Sequence, residues 1–155
     1  MWRTESLGDV CARREMDTLT GTAMQNASFH HVGVACRDLD AEESAFAALG
    51  YRRERADVVD PLQGVRARFL IGAGPRIELL CNLEGEAVLS DWLRKGIKFY
   101  HLAYEVDDIG AASDELAVAG GKRVVEPLPA IGFGMRMICF CMLPNMVLVE
   151  LISRT

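Results

Sequence analysis

The chain has 155 residues and a mass of 17.1 kDa, which fits one compact domain or two small modules sharing a core. Half of the residues are apolar, a quarter are charged and only 5 are proline, so a sizeable core can be buried and wholesale disorder is excluded. A formal net charge of -5 gives no general electrostatic reason to sit on nucleic acid or anionic lipid.

No run approaches the ~18 consecutive apolar residues of a membrane span, and the first residues lack the apolar stretch of a signal peptide, so a cytoplasmic protein is expected. The five cysteines are an odd number, scattered and without CxxC spacing, which reads as reduced thiols. Cys139 and Cys141 are expected on one strand face as small buried hydrophobes.

Residues 1–27 mix charges with Thr, Gly and Ala without a period and read as a flexible leader. Residues 28–155 form the domain. Phe29 to Cys36 reads as a strand, and Asp38 offers an N-cap to a helix with Leu39, Phe46 and Leu49 on one stripe, stopped by Gly50. Three strands follow, Tyr51 to Val59, Val65 to Ile71 and Arg76 to Cys81, separated by turn residues; Gly72-Ala73-Gly74 is one such turn, since it lacks the spacing and lysine of a phosphate loop. A short linker helix, Ala87 to Lys95, leads to a strand at Lys98 to Val106. The order then recurs: a helix from Asp108 to Ala119, a Gly120-Gly121 stop, and strands at Lys122 to Glu126, Met135 to Leu143 and Met146 to Ser153.

This recurrence is a duplication with an offset of 70 residues. It pairs His31 with His101, Asp38 with Asp108, Gly50 with Gly120, Gly64 with Gly134 and Arg66 with Arg136. A two-residue insertion near the last hairpin then sets Glu78 opposite Glu150. The expected fold is α+β, two βαβββ modules (about 28–84 and 97–155) forming a curved, mainly antiparallel eight-stranded sheet around a metal-binding cleft.

Each module carries one His in its first strand and one Glu in its last. Both last strands are apolar on both faces, and an unpaired buried carboxylate costs several kcal/mol. A divalent cation held by His31, Glu78, His101 and Glu150 neutralises both carboxylates and leaves positions for water or substrate oxygens. His30 is the alternative ligand to His31, but only His31 lies at the repeat offset, and in a period-2 strand His30 faces the other way and reads as a structural or rim residue.

Paired modules with these four residues resemble the vicinal oxygen chelate superfamily across about Phe29 to Ser153. The runs His30-His31-Val32-Gly33-Val34-Ala35, Gln63-Gly64-Val65, Tyr100-His101-Leu102-Ala103-Tyr104-Glu105-Val106-Asp107-Asp108-Ile109 and Val147-Leu148-Val149-Glu150-Leu151 look like those of its methylmalonyl-CoA epimerases. The resemblance implies one divalent ion (Co, Ni, Zn, Mn or Mg), a small-molecule substrate such as a CoA or carrier-protein thioester, and a homodimer. The implied chemistry is an isomerase or epimerase step: a Lewis acid stabilises an enolate while a base removes the proton next to a carbonyl. A glyoxalase I-like lyase and a non-catalytic drug-binding protein are the alternatives on the same fold.

One position departs from the epimerase pattern, because Ala67 stands where an acidic residue follows the Gln-Gly-Val run. Glu150 is then the expected base, with Glu105 on the same strand face as His101 as a further candidate. Arg66, Arg68 and Arg136 are expected to bind a substrate carboxylate or phosphate, although Arg66 and Arg68 also read as a solvated outer face. Phe133, with Met135 and Met137, is expected to wall the substrate.

Overall fold

The computed structural model describes residues 23–155. Each module begins with a strand, β1 (Ser28–Ala35) or, later, β6 (Phe99–Val106), followed by a helix, α1 (Leu39–Ala47) or α3 (Ile109–Val118). Both helices start where an aspartate caps them: Asp38 accepts from the backbone N–H of Asp40 and Ala41, and Asp108 from that of Ala111. Gly50 and Gly120, at φ 82 and 88, release the chain from each helix in the left-handed conformation.

The first module continues with β2 (Arg52–Arg53), β3 (Val58–Asp60), β4 (Val65–Ile71) and β5 (Ile77–Asn82). After the short α2 (Ser90–Arg94), the second closes with β7 (Lys122–Ala130), β8 (Arg136–Met142) and β9 (Leu148–Ser153). The strands form one sheet in the order β2-β4-β5-β1-β6-β9-β8-β7, with β3 also on β4, which makes nine. The expected strand from Tyr51 to Val59 is broken because Glu54, Arg55 and Asp57 turn their charges toward Arg76, the carbonyl of Gly132 and Arg68. At the opposite edge β7 runs to Ala130 past Pro127 and Pro129, which an edge strand tolerates.

The modules join where β1 lies antiparallel to β6, while β5 and β9 flank them in parallel. Alternation then sorts the side chains. Val34, Leu70, Ile77 and Leu79 pack with Leu39 under α1, and Val106, Cys139, Cys141 and Leu151 pack with Ile109 and Ala112 under α3. The opposite, concave face carries Ala35, Ala67, Phe69, Leu80, Ala103, Ile138, Phe140 and Ile152. Burying each large apolar side chain stabilises the fold by about 1.5–3 kcal/mol.

The repeat is less regular than one insertion suggests. Phe69 lies opposite Glu78 and Phe140 opposite Glu150, so β8 is already one residue out of step with β4. The extra residue is Met135, which adds a second left-handed position (φ 68) after Gly134, where the first module has Gly64 alone. The other falls in the β8–β9 turn, where Met146 is also left-handed at φ 66. Arg136 therefore lies on the concave side and Arg66 on the helix-covered side, which corrects their expected equivalence.

Of the expected leader, residues 1–22 lie outside the described part. Ala23 and Met24 pack against the α3 cluster, and their N–H groups donate to the Glu115 carboxylate at 2.8 and 2.9 Å. Among the described residues no helix is long and apolar enough to cross a membrane. Four of the five cysteines fall among them and are free thiols. Burial pushes those of Cys36 and Cys139 up to about 12, so they stay protonated inside the two helix-covered clusters.

Candidate metal centre

Four adjacent strands each send one side chain to the same point on the concave face: Glu78 from β5, His31 from β1, His101 from β6 and Glu150 from β9. The register repeats across the module boundary. Gly33 lies opposite His101 and beside Glu78, and Ala103 lies opposite His31 and beside Glu150. Gly33 is required here, since a Cβ on it would stand 2.2 Å from Cε1 of His101.

All four residues are at most 5% exposed. His31 Nε2 lies 2.9 Å from His101 Nε2, 3.0 Å from Glu78 Oε2 and 3.3 Å from Glu150 Oε2. His101 Nε2 lies 3.5 and 3.4 Å from the same two oxygens. Donors bonded at about 2.0–2.2 Å to a shared cation sit roughly 3.0–3.5 Å apart, so these edges suit a divalent ion. Glu150 Oε2 has no hydrogen-bond donor although it is buried, which a cation would remedy. The residues present fit a metal of the hard-to-borderline class that imidazole and carboxylate share.

Burial by itself would raise the pKa of Glu78, but the imidazoles of His31 and His101 outweigh it and hold the carboxyl well below its usual range. Burial would likewise lower that of His101, yet Glu150 and Glu78 raise it to about 9. In the metal-free protein a proton thus occupies the place of the cation, and metal binding must displace it.

A bulge between Phe29 and His31 breaks the expected alternation. It turns His30 inward, so that its Nδ1 lies 2.7 Å from Nδ1 of His31. Arg76 Nη1 is 3.0 Å from His30 Nε2, and burial, then His31 and Arg76, lower the pKa of His30 to about 4. His30 is therefore a neutral orienting neighbour of His31 and not an outward rim residue. Strict period-2 reading hid this, because nothing in the local sequence announces the bulge.

The remaining expected site residues are placed differently. Arg68 is buried on the helix side, where it donates to Asp57, Asp40 and Glu43 at 2.6–2.8 Å; Arg66 is exposed on the same side. Neither lines the metal cavity, because both have the parity of Leu70 under α1. Arg136 is concave-facing, but it donates to Glu105 at 2.6 Å and to the carbonyls of Ser153 and Phe133. That ion pair holds the Glu105 carboxyl below its usual range and away from the ligands. Phe133 stacks on His31 at 5.8 Å but lines neither cavity beside the ligands, while Met135 and Met137 are exposed and wall nothing.

What opens beside the ligands is a cavity of about 180 Å³, lined by Glu78, His101 and Glu150 together with Gln63, Leu80, Tyr100 and Phe140. No Lys or Arg lines it. Burial, then Glu150 and Glu78, push the Tyr100 hydroxyl up to about 12, so it remains a hydrogen-bond donor. Gln63 was legible only as part of a run, and Tyr100 only as the neighbour of a ligand.

This fold and ligand set define a class. Residues 30–140 match the family described as the glyoxalase/bleomycin resistance protein/dioxygenase superfamily, and the chain belongs to it. Within that class it is similar to the ethylmalonyl-CoA/methylmalonyl-CoA epimerase of Cereibacter sphaeroides, 31% identical over 105 residues that cover 66% of this chain and 78% of the relative. Methylmalonyl-CoA epimerase from Mycobacterium tuberculosis superposes with a TM-score of 0.66 at 26% identity, over 93% of this chain and 95% of that one. A Streptomyces coelicolor methylmalonyl-CoA epimerase variant, in complex with 2-nitronate-propionyl-CoA, gives 0.63 at 28% identity over 81% and 93%.

Proposed function

We propose that the protein is a metal-dependent, epimerase-like enzyme that removes a proton next to the carbonyl of an acyl thioester or related compound. The observation that carries this reading is the convergence of two buried imidazoles and two buried carboxylates, with one oxygen, Glu150 Oε2, left without a hydrogen bond. A divalent cation held by His31, Glu78, His101 and Glu150 would supply Lewis acidity toward two neighbouring substrate oxygens and lower the barrier to an enolate.

The chain's own residues supply the rest. Glu150 is the base: Oε2 would bind the cation and the second carboxylate oxygen would take the proton in the cavity that Glu150 lines, whereas the carboxyl of Glu78 is held well below its usual range by both imidazoles and is a poor acceptor. Tyr100 and Gln63 orient the substrate by hydrogen bonds, and Leu80 and Phe140 exclude water. Ala67 lies on β4 opposite Leu80, in the concave apolar cluster, and can move no proton. A single base on one face predicts fast exchange and slow inversion.

The test is solvent deuterium uptake at the α-carbon of methylmalonyl-CoA and of related thioesters by the metal-loaded protein. Exchange should outpace net epimerisation, and Ala67→Glu should raise inversion by about 10²- to 10⁴-fold, the range of a positioned acid or base. Absence of exchange with every thioester and α-hydroxycarbonyl compound tried would overturn the proposal.

A further inference from the structure

The concave space does not end at the metal cavity. A second cavity of about 540 Å³ adjoins it, and Tyr100 and His101 line both. Its other walls are Trp92 from α2, Phe99 at the start of β6, and Met142, Met146 and Leu148 around the β8–β9 turn. Only two charged side chains other than His101, Asp91 and Lys95, reach it. Phe99 and Met146 are 72% and 70% exposed, which leaves large apolar side chains facing water near the four candidate ligands.

Volume decides what this means for a substrate. The inner cavity, at about 180 Å³, is a third the size of the outer one, at about 540 Å³. It accommodates a reacting carbon, two oxygens and a few further atoms. A bulkier group has two ways out, the solvent-exposed rim at Leu62, Val88 and Val125 or the space past Tyr100, and the second is apolar and of the size that holds small-molecule ligands, ~300–1,000 Å³. Two methionines on one side let that space adapt to chains of different shape, and the near absence of cations gives it no means of gripping a phosphate.

We propose that this second cavity takes the alkyl chain or aryl group of the substrate, so that the preferred substrate carries a large apolar substituent on its reacting carbonyl end. This rests on the reading that the four-ligand site holds the substrate oxygens, and it names the class of molecule that site serves.

The probes are acetohydroxamate and octanohydroxamate, which present the same pair of vicinal oxygens and differ by a chain of six methylenes. Their affinities are measured by calorimetry on the zinc-loaded protein. Burial is worth about fourfold per methylene, so even partial entry of the chain should make octanohydroxamate bind at least ~10²-fold tighter. In Trp2→Phe protein, where Trp92 is the sole indole, octanohydroxamate should also shift the fluorescence and acetohydroxamate should not. Ile97→Asp, which sets a carboxylate on the cavity wall, should reduce the affinity ratio to near one. Equal affinities in the unmodified protein, failure to bind either probe, or a ratio preserved in the variant overturns the proposal. Because no turnover is involved, loss of α-proton exchange with the chain-length gain intact would remove the enzymatic reading alone.

Discussion

Adding one methyl group at Gly33 should dismantle the metal site while leaving the fold standing. The new Cβ would lie 2.2, 2.4 and 2.5 Å from Cε1, Nδ1 and Nε2 of His101, against about 3.5–4.0 Å for an ordinary contact. The imidazole must therefore retreat by more than ~1 Å, yet Tyr100, Phe140 and His31 surround it at ring separations of 5.0, 5.4 and 5.1 Å. Metal ligation tolerates displacements of about 0.2 Å, so the His101 bond is lost. Affinity should fall by at least ~10²-fold, the upper end of what disturbing a mere supporting residue costs. Overpacking should add about 1–3 kcal/mol of destabilisation. Gly33 is not in the left-handed region, so the effect is steric and Gly33→Ala should retain its circular dichroism spectrum. Elemental analysis after dialysis, with a competitive chelator titration, measures the loss. Full metal content at unchanged affinity would show that His101 is not a ligand.

Chelator-treated protein should lose stability as pH rises. The raised pKa of His101, about 9 when folded against an ordinary 6.5, contributes stability that is complete below 6.5 and disappears through 9. Urea unfolding at pH 6, 7.5 and 9 reads it, and a flat profile would refute the proton's role; added divalent cation should oppose the loss, since it replaces the proton. Arg68→Ala should lower stability by ~2 kcal/mol, because Asp57, Glu43 and Asp40 are left facing one another, while metal content stays the same; loss of metal would relocate Arg68 to the site. Removing Ala23 and Met24 with the residues before them should cost stability, read as a lower melting temperature, by freeing the half-buried contacts of Glu115, and should leave metal content unchanged; an unchanged melting temperature would refute that docking.

The duplication made the ligand set legible, since four chemically apt residues in equivalent positions of two modules are improbable by accident. The helices were legible for a local reason: Asp38, Gly50, Asp108 and Gly120 are strong punctuation. What stayed hidden depends on single-residue irregularities. The bulge at His30 and the left-handed Met135 each reverse which face a side chain takes, and neither residue type advertises that conformation. Arg66 and Arg136 were thus paired by counting and separated by one inserted residue. The break in the strand after Arg53 is set by partners distant in sequence, such as Arg68 and Arg76, which no window contains.

Placing one candidate ligand on each of the four central strands would give a bound cation a second office, that of proofreader. A slip of one residue between β1 and β6 would turn His31 or His101 to the helix-covered side, and a slip at either parallel neighbour would do the same to Glu78 or Glu150. Mispaired sheets would then be unable to bind, so mass action draws the population toward the single register that can. Bound there, one ion would tie together the two halves of the duplication, and a chain emerging with its strands unpaired would find its correct alignment rewarded only when all four meet.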